Sequence, residues 1–181
     1  MPVDVSQLKE FQKKLQRLAD KAQDQFCREC ARELAAKLLE LVIPLTPVYE
    51  DYDAEVNFTT KDSIKVSFFP DTGKQGGTLR RGWTAETEQE ALNSPGTPSA
   101  SDQKGYVDSL VITKTGKVYY IEVVIPVFYA SYVEFGHRTV NGGWQPGKFM
   151  LTLSEHQLMD LAPEMLEEKL EKALKEVFHD S

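Results

Sequence analysis

Apolar residues recur at spacings of three and four over most of the first forty positions: Leu8, Phe11, Leu15, Leu18, Ala22, Phe26, Cys30, Leu34 and Leu38. That period places them on one stripe of a single helix. Asp4 with Gln7 reads as a capping box at its start, and Val3 with Leu8 as a hydrophobic staple. Pro44 and Pro47 mark its end, because proline lacks the N–H that a helix interior needs. Unbroken, such a helix spans roughly 55 Å. That is more than a chain of 181 residues needs to wrap its own core. Either the helix breaks near Cys27–Ala31, or it protrudes and packs on a neighbour.

The middle of the chain reads as β. Ile64, Val66 and Phe68 alternate with Lys65, Ser67 and Phe69, the period of a half-buried strand. Residues 79–86 form a second candidate strand. Residues 87–105 are rich in Ser, Pro, Gly and Asn and are expected to be a flexible loop. Residues 106–113 and 117–125 read as two strands around Lys114-Thr115-Gly116-Lys117, a hairpin signal in which glycine supplies a positive φ. Val118–Ile125 is apolar on both faces, the pattern of a central strand. Phe128–Phe135 reads as a short helical turn with Gly136 as its C-cap, and Asn141-Gly142-Gly143 as a loop. Residues 148–161 and 163–178 return to helix, with Pro163 a kink or the first turn of a second helix. The order predicts an α+β fold in one domain. An antiparallel sheet of about four to five strands would be flanked by a long N-terminal helix and C-terminal amphipathic helices.

Composition excludes several classes. With 41% apolar and 27% charged residues the chain can bury a core, and it contains no apolar run long enough to span a bilayer. Met1-Pro2-Val3-Asp4 lacks the basic and apolar regions of a signal peptide. Two cysteines cannot build a disulfide framework, and a reducing compartment is the simpler expectation. The net charge of −7 is uneven. Residues 155–181 carry eight acids against three lysines, and residues 49–71 six acids against two lysines, balances of −5 and −4. Residues 9–37 carry eight bases against five acids, a balance of +3. The chain lacks the extended basic surface of a general nucleic-acid binder. Opposite-sign blocks imply either neutralisation within the fold or head-to-tail contact between copies.

No catalytic constellation emerges. Cys27-Arg28-Glu29-Cys30 has no second ligand pair for zinc and lies mid-helix, away from the helix N-terminus that activates a redox thiol. Glu134 with His137, and His156 with Asp160, each supply at most a pair of metal ligands. A metal-dependent enzyme using Glu134, His137 and His156 is retained as one alternative. The glycine pairs 76–77 and 142–143 match no phosphate-binding loop. Arg80-Arg81 beside Trp83 fits ion pairing or a subunit contact better than nucleic acid. The segment from Phe128 to Arg138 is unusual in density. Tyr129, Tyr132 and Phe135 precede Gly136, His137 and Arg138, and Trp144 follows in a Gly-rich loop. Aromatic residues and arginine anchor protein interfaces.

These blocks, in order, resemble a known family. The matching motifs are Thr46-Pro47-Val48, Asp71-Thr72-Gly73, Leu79-Arg80-Arg81-Gly82-Trp83, Tyr129–Arg138 and Gly142–Leu151. Together they resemble the minor tail-component or tail-completion (neck) proteins of tailed phages and prophages, in the version found in Gram-positive bacteria. The resemblance spans residues 5–178. In the family, the Thr-Pro-Val turn runs straight into Asp-Thr-Gly. Here residues 49–70 intervene and read as a β-hairpin inserted into a surface turn, where insertions cost little.

The resemblance implies a structural virion protein without cofactor or enzymatic activity. Such a protein is a tail-completion, tail-terminator or head–tail joining subunit at the head–tail junction, assembled in the host cytoplasm. It implies a homo-oligomeric ring, a hexamer, around a channel through which DNA passes without sequence-specific binding. Its partners would be the neighbouring connector and tail tube or sheath proteins, with no membrane involved. Leu79, Arg80, Arg81, Trp83, Tyr129, Tyr132, Glu134, Phe135, Gly136, His137, Arg138 and Trp144 are expected to form the core and one side of the subunit contact. A second alternative is a cytosolic binding module that recognises a partner protein through the 49–70 hairpin.

Overall fold

A computed structural model describes residues 6–48, 56–59, 65–68, 76–94, 96–139 and 142–179. The Asp4–Gln7 cap, the Val3 staple, the acids of residues 50–55 and the Asp71-Thr72-Gly73 motif lie outside the described residues. The first helix, α1, runs unbroken over Ser6–Leu45, about 60 Å at 1.5 Å per residue. It does not break near Cys27–Ala31, and it takes Pro44 into its last turn before Pro47 follows. The last helix, α6 (Met150–His179), is also continuous and carries Pro163 inside it, so the two helices expected there are one.

Helix α6 doubles back along α1. Leu161 and Met165 lie over Ala36 and Lys37, and further on Leu166 and Leu170 lie over Phe26, Cys30 and Leu34. Lys169 pairs with Glu33 across the seam at 2.6 Å. The pair that bridges the seam sets a lysine of the acidic last helix against a glutamate of the basic first one. A single exposed pair contributes little to stability, and the helices are held by apolar burial. The core gathers where α1 ends: Leu39, Val42 and Ile43 pack with Trp83, Ala91, Val107, Val127 and Met150.

The architecture is α+β, but the β part differs from the expected sheet. The described strands form three separate antiparallel pairs. They are β1 (Val56–Thr59) with β2 (Lys65–Phe68), β3 (Ile112–Thr115) with β4 (Val118–Ile121), and β5 (Gly136–Arg138) with β6 (Trp144–Pro146). β4 is therefore not a central strand. Its pattern is apolar on both faces, yet it has one neighbour. Gly116, at φ 64°, makes the two-residue turn between β3 and β4, as its sequence predicts.

Two further expectations are corrected. Residues 79–86 are helical: α2 (Thr78–Arg81) continues into a 3₁₀ turn over Gly82–Thr84. Gly82 allows this, since a Cβ there would come within 2.7 Å of the Val127 side chain. Residues 87–105 are not a loop but hold α3 (Glu88–Asn93) and the start of α4 (Ala100–Ser109), so residues 106–109 are helical and the strand expected from 106 begins only at Ile112. Both helices open on side-chain caps. Thr87 accepts from the Glu90 amide, and Ser99 with Asp102 closes a full capping box.

Candidate assembly interface

The Leu79–Trp83 block fastens the end of α1. That helix has no cation in its last turn, so its final carbonyls and the negative end of its dipole need an outside partner. Arg80 provides one. Its Nη2 and Nε donate to the Thr46 carbonyl at 2.7 and 3.1 Å, and its Nη1 donates to Thr97 Oγ1 at 3.2 Å. Trp83, 1% exposed, donates its indole Nε1–H to Thr46 Oγ1 at 2.7 Å, and that hydroxyl donates on to the Val42 carbonyl at 2.7 Å. Leu79 is buried in the core beside them. Arg81 pairs with Asp102 at 2.9 Å. The Asp102 carboxyl is held below its usual range by the Ser99 backbone amide first, then by the Ser99 hydroxyl and Arg81. These four residues are thus spent inside the protomer: they clamp α1, α2 and α4 together.

A second internal clasp was not foreseen from sequence. Asp24 on α1 accepts from Lys114 Nζ at 2.8 Å, Tyr119 Oη at 2.7 Å and Arg28 Nε at 2.7 Å. Arg28 Nη1 also donates to the Ile112 carbonyl at 2.9 Å. This cluster moors the β3–β4 ribbon to α1, and the three donors, Lys114 foremost, hold the Asp24 carboxyl far below the ordinary range. Cys27 and Cys30 are free thiols on α1, and burial pushes the Cys30 thiol up, away from the reactive thiolate.

The second aromatic block is built to different ends. Helix α5 (Ala130–Phe135) is capped by Gly136 at φ 85°, as expected. Glu134, on the inner side of α5, is 5% exposed. Its carboxylate accepts from the Leu151 amide at 2.9 Å, the Thr152 amide at 2.9 Å and Thr152 Oγ1 at 2.7 Å. A carboxylate here satisfies the orphan N–H groups of α6 and complements its positive end. The backbones lock as well: Lys148 N–H donates to Val133 O at 2.8 Å, and Phe149 N–H to Glu134 O at 3.0 Å. Gly136 and Gly147 permit that approach, because a Cβ on Gly147 would collide with the Glu134 carbonyl. Phe149 is held at φ 52°, the left-handed region that side chains avoid.

That rigid frame presents aromatics outward. Phe135 and Trp144 are each 62% exposed and Tyr132 54%, with Phe128 and Phe149 also exposed. His137 and Arg138 are exposed on β5. The His137 ring stands edge-on to Tyr132 at 5.9 Å, and Arg138 lies opposite Trp144 in the β5–β6 register. Tyr129 is half-buried and packs against the core. The structure therefore divides the twelve predicted residues. Leu79, Arg80, Arg81, Trp83, Tyr129 and Glu134 hold the protomer together and Gly136 shapes it. Tyr132, Phe135, His137, Arg138 and Trp144 face outward.

Glu134 is committed to α6, and among the described residues no three His, Cys, Asp or Glu side chains come together as ligands. Among the described residues, no helix is long and apolar enough to cross a membrane.

Charged groups thus brace the protomer from within at Arg80, Arg81 and Glu134, while large aromatics stand exposed on α5 and β6. Residues 9–136 match the HK97-gp10-like family, described as "Bacteriophage HK97-gp10, putative tail-component". The match covers well over half of the chain, which belongs to this family of phage tail components. It ends at Gly136, so His137, Arg138, Trp144 and helix α6 lie beyond the matched region. No curated protein and no solved structure matches the chain.

Proposed function

We propose that this chain is a neck subunit of the phage tail, a tail-completion, tail-terminator or head–tail joining protein that closes into a ring, a hexamer, around the DNA channel. It acts as one domain carrying an inserted hairpin at 49–70. The observation that carries this reading is the exposed ridge of Tyr132, Phe135 and Trp144 on a frame fixed by Glu134, Gly136 and Gly147. Large aromatics left in water on a rigid support are the residues that anchor subunit contacts. A ring needs a head-to-tail contact that closes by rotation, and the ridge is one side of it. Neighbouring connector and tail proteins stack above and below, in the virion at the head–tail junction. DNA passes without base-specific contact.

The test is substitution of the ridge alone. Phe135→Ser and Trp144→Ala are expected to lose assembly, read as native mass, by roughly tenfold or more in midpoint concentration, with circular dichroism melting unchanged. Variants that assemble like the parent chain would remove the ridge from the contact.

A further inference from the structure

Strand β4 has an open edge. The two-residue turn closes on the Thr115–Val118 pair, so the hydrogen-bonded pairs with β3 are Thr115–Val118 and Thr113–Tyr120. The N–H and C=O groups of Tyr119 and Ile121 then point away from β3, as do those of Val123 further on. Among the described residues no hydrogen bond uses them. Val124, of the opposite parity, is instead met by the Tyr106 hydroxyl on the β3 side. Natural edges are blunted by lysine, proline or a bulge, and from Val118 to Ile125 there is neither lysine nor proline.

The edge borders an apolar trough. Round α1, β3 meets Asp24 and Arg28, Tyr119 of β4 reaches over Cys27, and α6 sits beyond Cys30. Between β4 and α6 lies a cleft of about 420 Å³, floored by Cys27, Ala31 and Leu34 and walled by Tyr119 and Leu166. An extended strand laid against β4 would enter this trough beside Tyr119 and take the central position that the two-faced apolar pattern of Val118–Ile125 calls for.

The chain carries a strand pair without a seat. In the β1–β2 register Val56 faces Phe68 and Phe58 faces Val66, while Asn57 faces Ser67 and Thr59 faces Lys65. One face of the ribbon is wholly apolar by sequence and the other wholly polar. β1 and β2 pair with each other and make no extended contact with another described element.

We infer that the β1–β2 ribbon of one copy docks into the trough of the next, adding a strand to the open edge of β4. This rests on the ring reading and specifies its second contact. Main-chain bonds to Tyr119, Ile121 and Val123 give the affinity, and the apolar face over Ala31 and Leu34 gives the register. The contact is heterologous, donor ribbon to acceptor edge, as a closing ring requires.

Two variants separate donor from acceptor. Joining Val48 directly to Asp71 removes the donor. Val123→Pro removes an N–H that no described residue uses, so it blocks the acceptor. Each variant alone is expected to lose assembly by roughly tenfold or more. Mixed, they retain one intact donor and one intact acceptor and form a complex of two chains that grows no further. Complementation also shows that both variants are folded. If the parent chain assembles and the deletion variant assembles equally, or the mixture stays monomeric, the inference falls and the ring reading stands. A parent chain that is monomeric throughout overturns both.

Discussion

Replacing Glu134 tests whether the aromatic block is a frame or a reactive centre. Its carboxylate takes three hydrogen bonds, from Leu151 N, Thr152 N and Thr152 Oγ1 at 2.9, 2.9 and 2.7 Å. Hydrogen bonds to a charged group contribute about 1.5–3 kcal/mol each at most, and they are not additive within one cluster. Loss of a helix cap costs about 0.5–2 kcal/mol. Glu134→Ala removes the cap and leaves two amides at the α6 start to find water. We expect a loss of about 3 kcal/mol, seen in urea denaturation as a lower midpoint at unchanged slope. A domain of this size then melts roughly 6–12 °C lower. Glu134→Gln keeps one acceptor oxygen without the charge and should lose about half as much. Thr152→Ala should be partly redundant with Glu134→Ala in a double-mutant cycle, because one hydrogen bond is common to both. If Glu134→Ala melts within a degree or two of the parent chain, the capping account is wrong. If it instead releases a stoichiometric metal, the enzyme alternative returns.

Three further outcomes are expected. Trp83→Phe keeps most of the buried volume but leaves Thr46 without its indole donor, and should cost about 1–2 kcal/mol in chemical denaturation. Phe149→Gly relieves a left-handed φ that costs a side-chain-bearing residue about 1–2 kcal/mol, so stability should hold or rise while an exposed aromatic is lost from the ridge. Asp24 has a folded pKa depressed by Lys114, Arg28 and Tyr119, so its contribution is present above the ordinary carboxylate value of about 4 and is lost as pH falls below it. Asp24→Asn should therefore flatten the acid limb of a melting-versus-pH curve and leave its slope above neutrality unchanged.

Local periodicity made the two long helices legible, and local turn chemistry made Gly116 and Gly136 legible. Both signals depend on neighbours in sequence. The helical form of the Leu79–Trp83 block is set by distant groups, not by local pattern: the α1 carbonyl end that Arg80 caps and the core that takes Trp83. The segment 87–105 carries its helix signal in the sequence. Thr87 with Glu90 and Ser99 with Asp102 are capping spacings, masked by the surrounding Ser, Pro and Gly. Val118–Ile125 has a central strand's pattern, apolar on both faces, while among the described residues one protomer gives β4 a single neighbour. At the ridge, composition pointed to an interface but could not divide inward from outward residues. That division depends on α5 turning Glu134 toward α6 and Phe135 toward water.

The central claim is that the chain closes on copies of itself. The most direct measurement is the native mass of the purified parent chain across a concentration series, with negative-stain images of the same sample. The account predicts one closed species of fixed stoichiometry, six copies by the family resemblance, seen as a ring with an open centre. A chain that stays monomeric at every concentration, or that grows into open filaments of no fixed length, would contradict it.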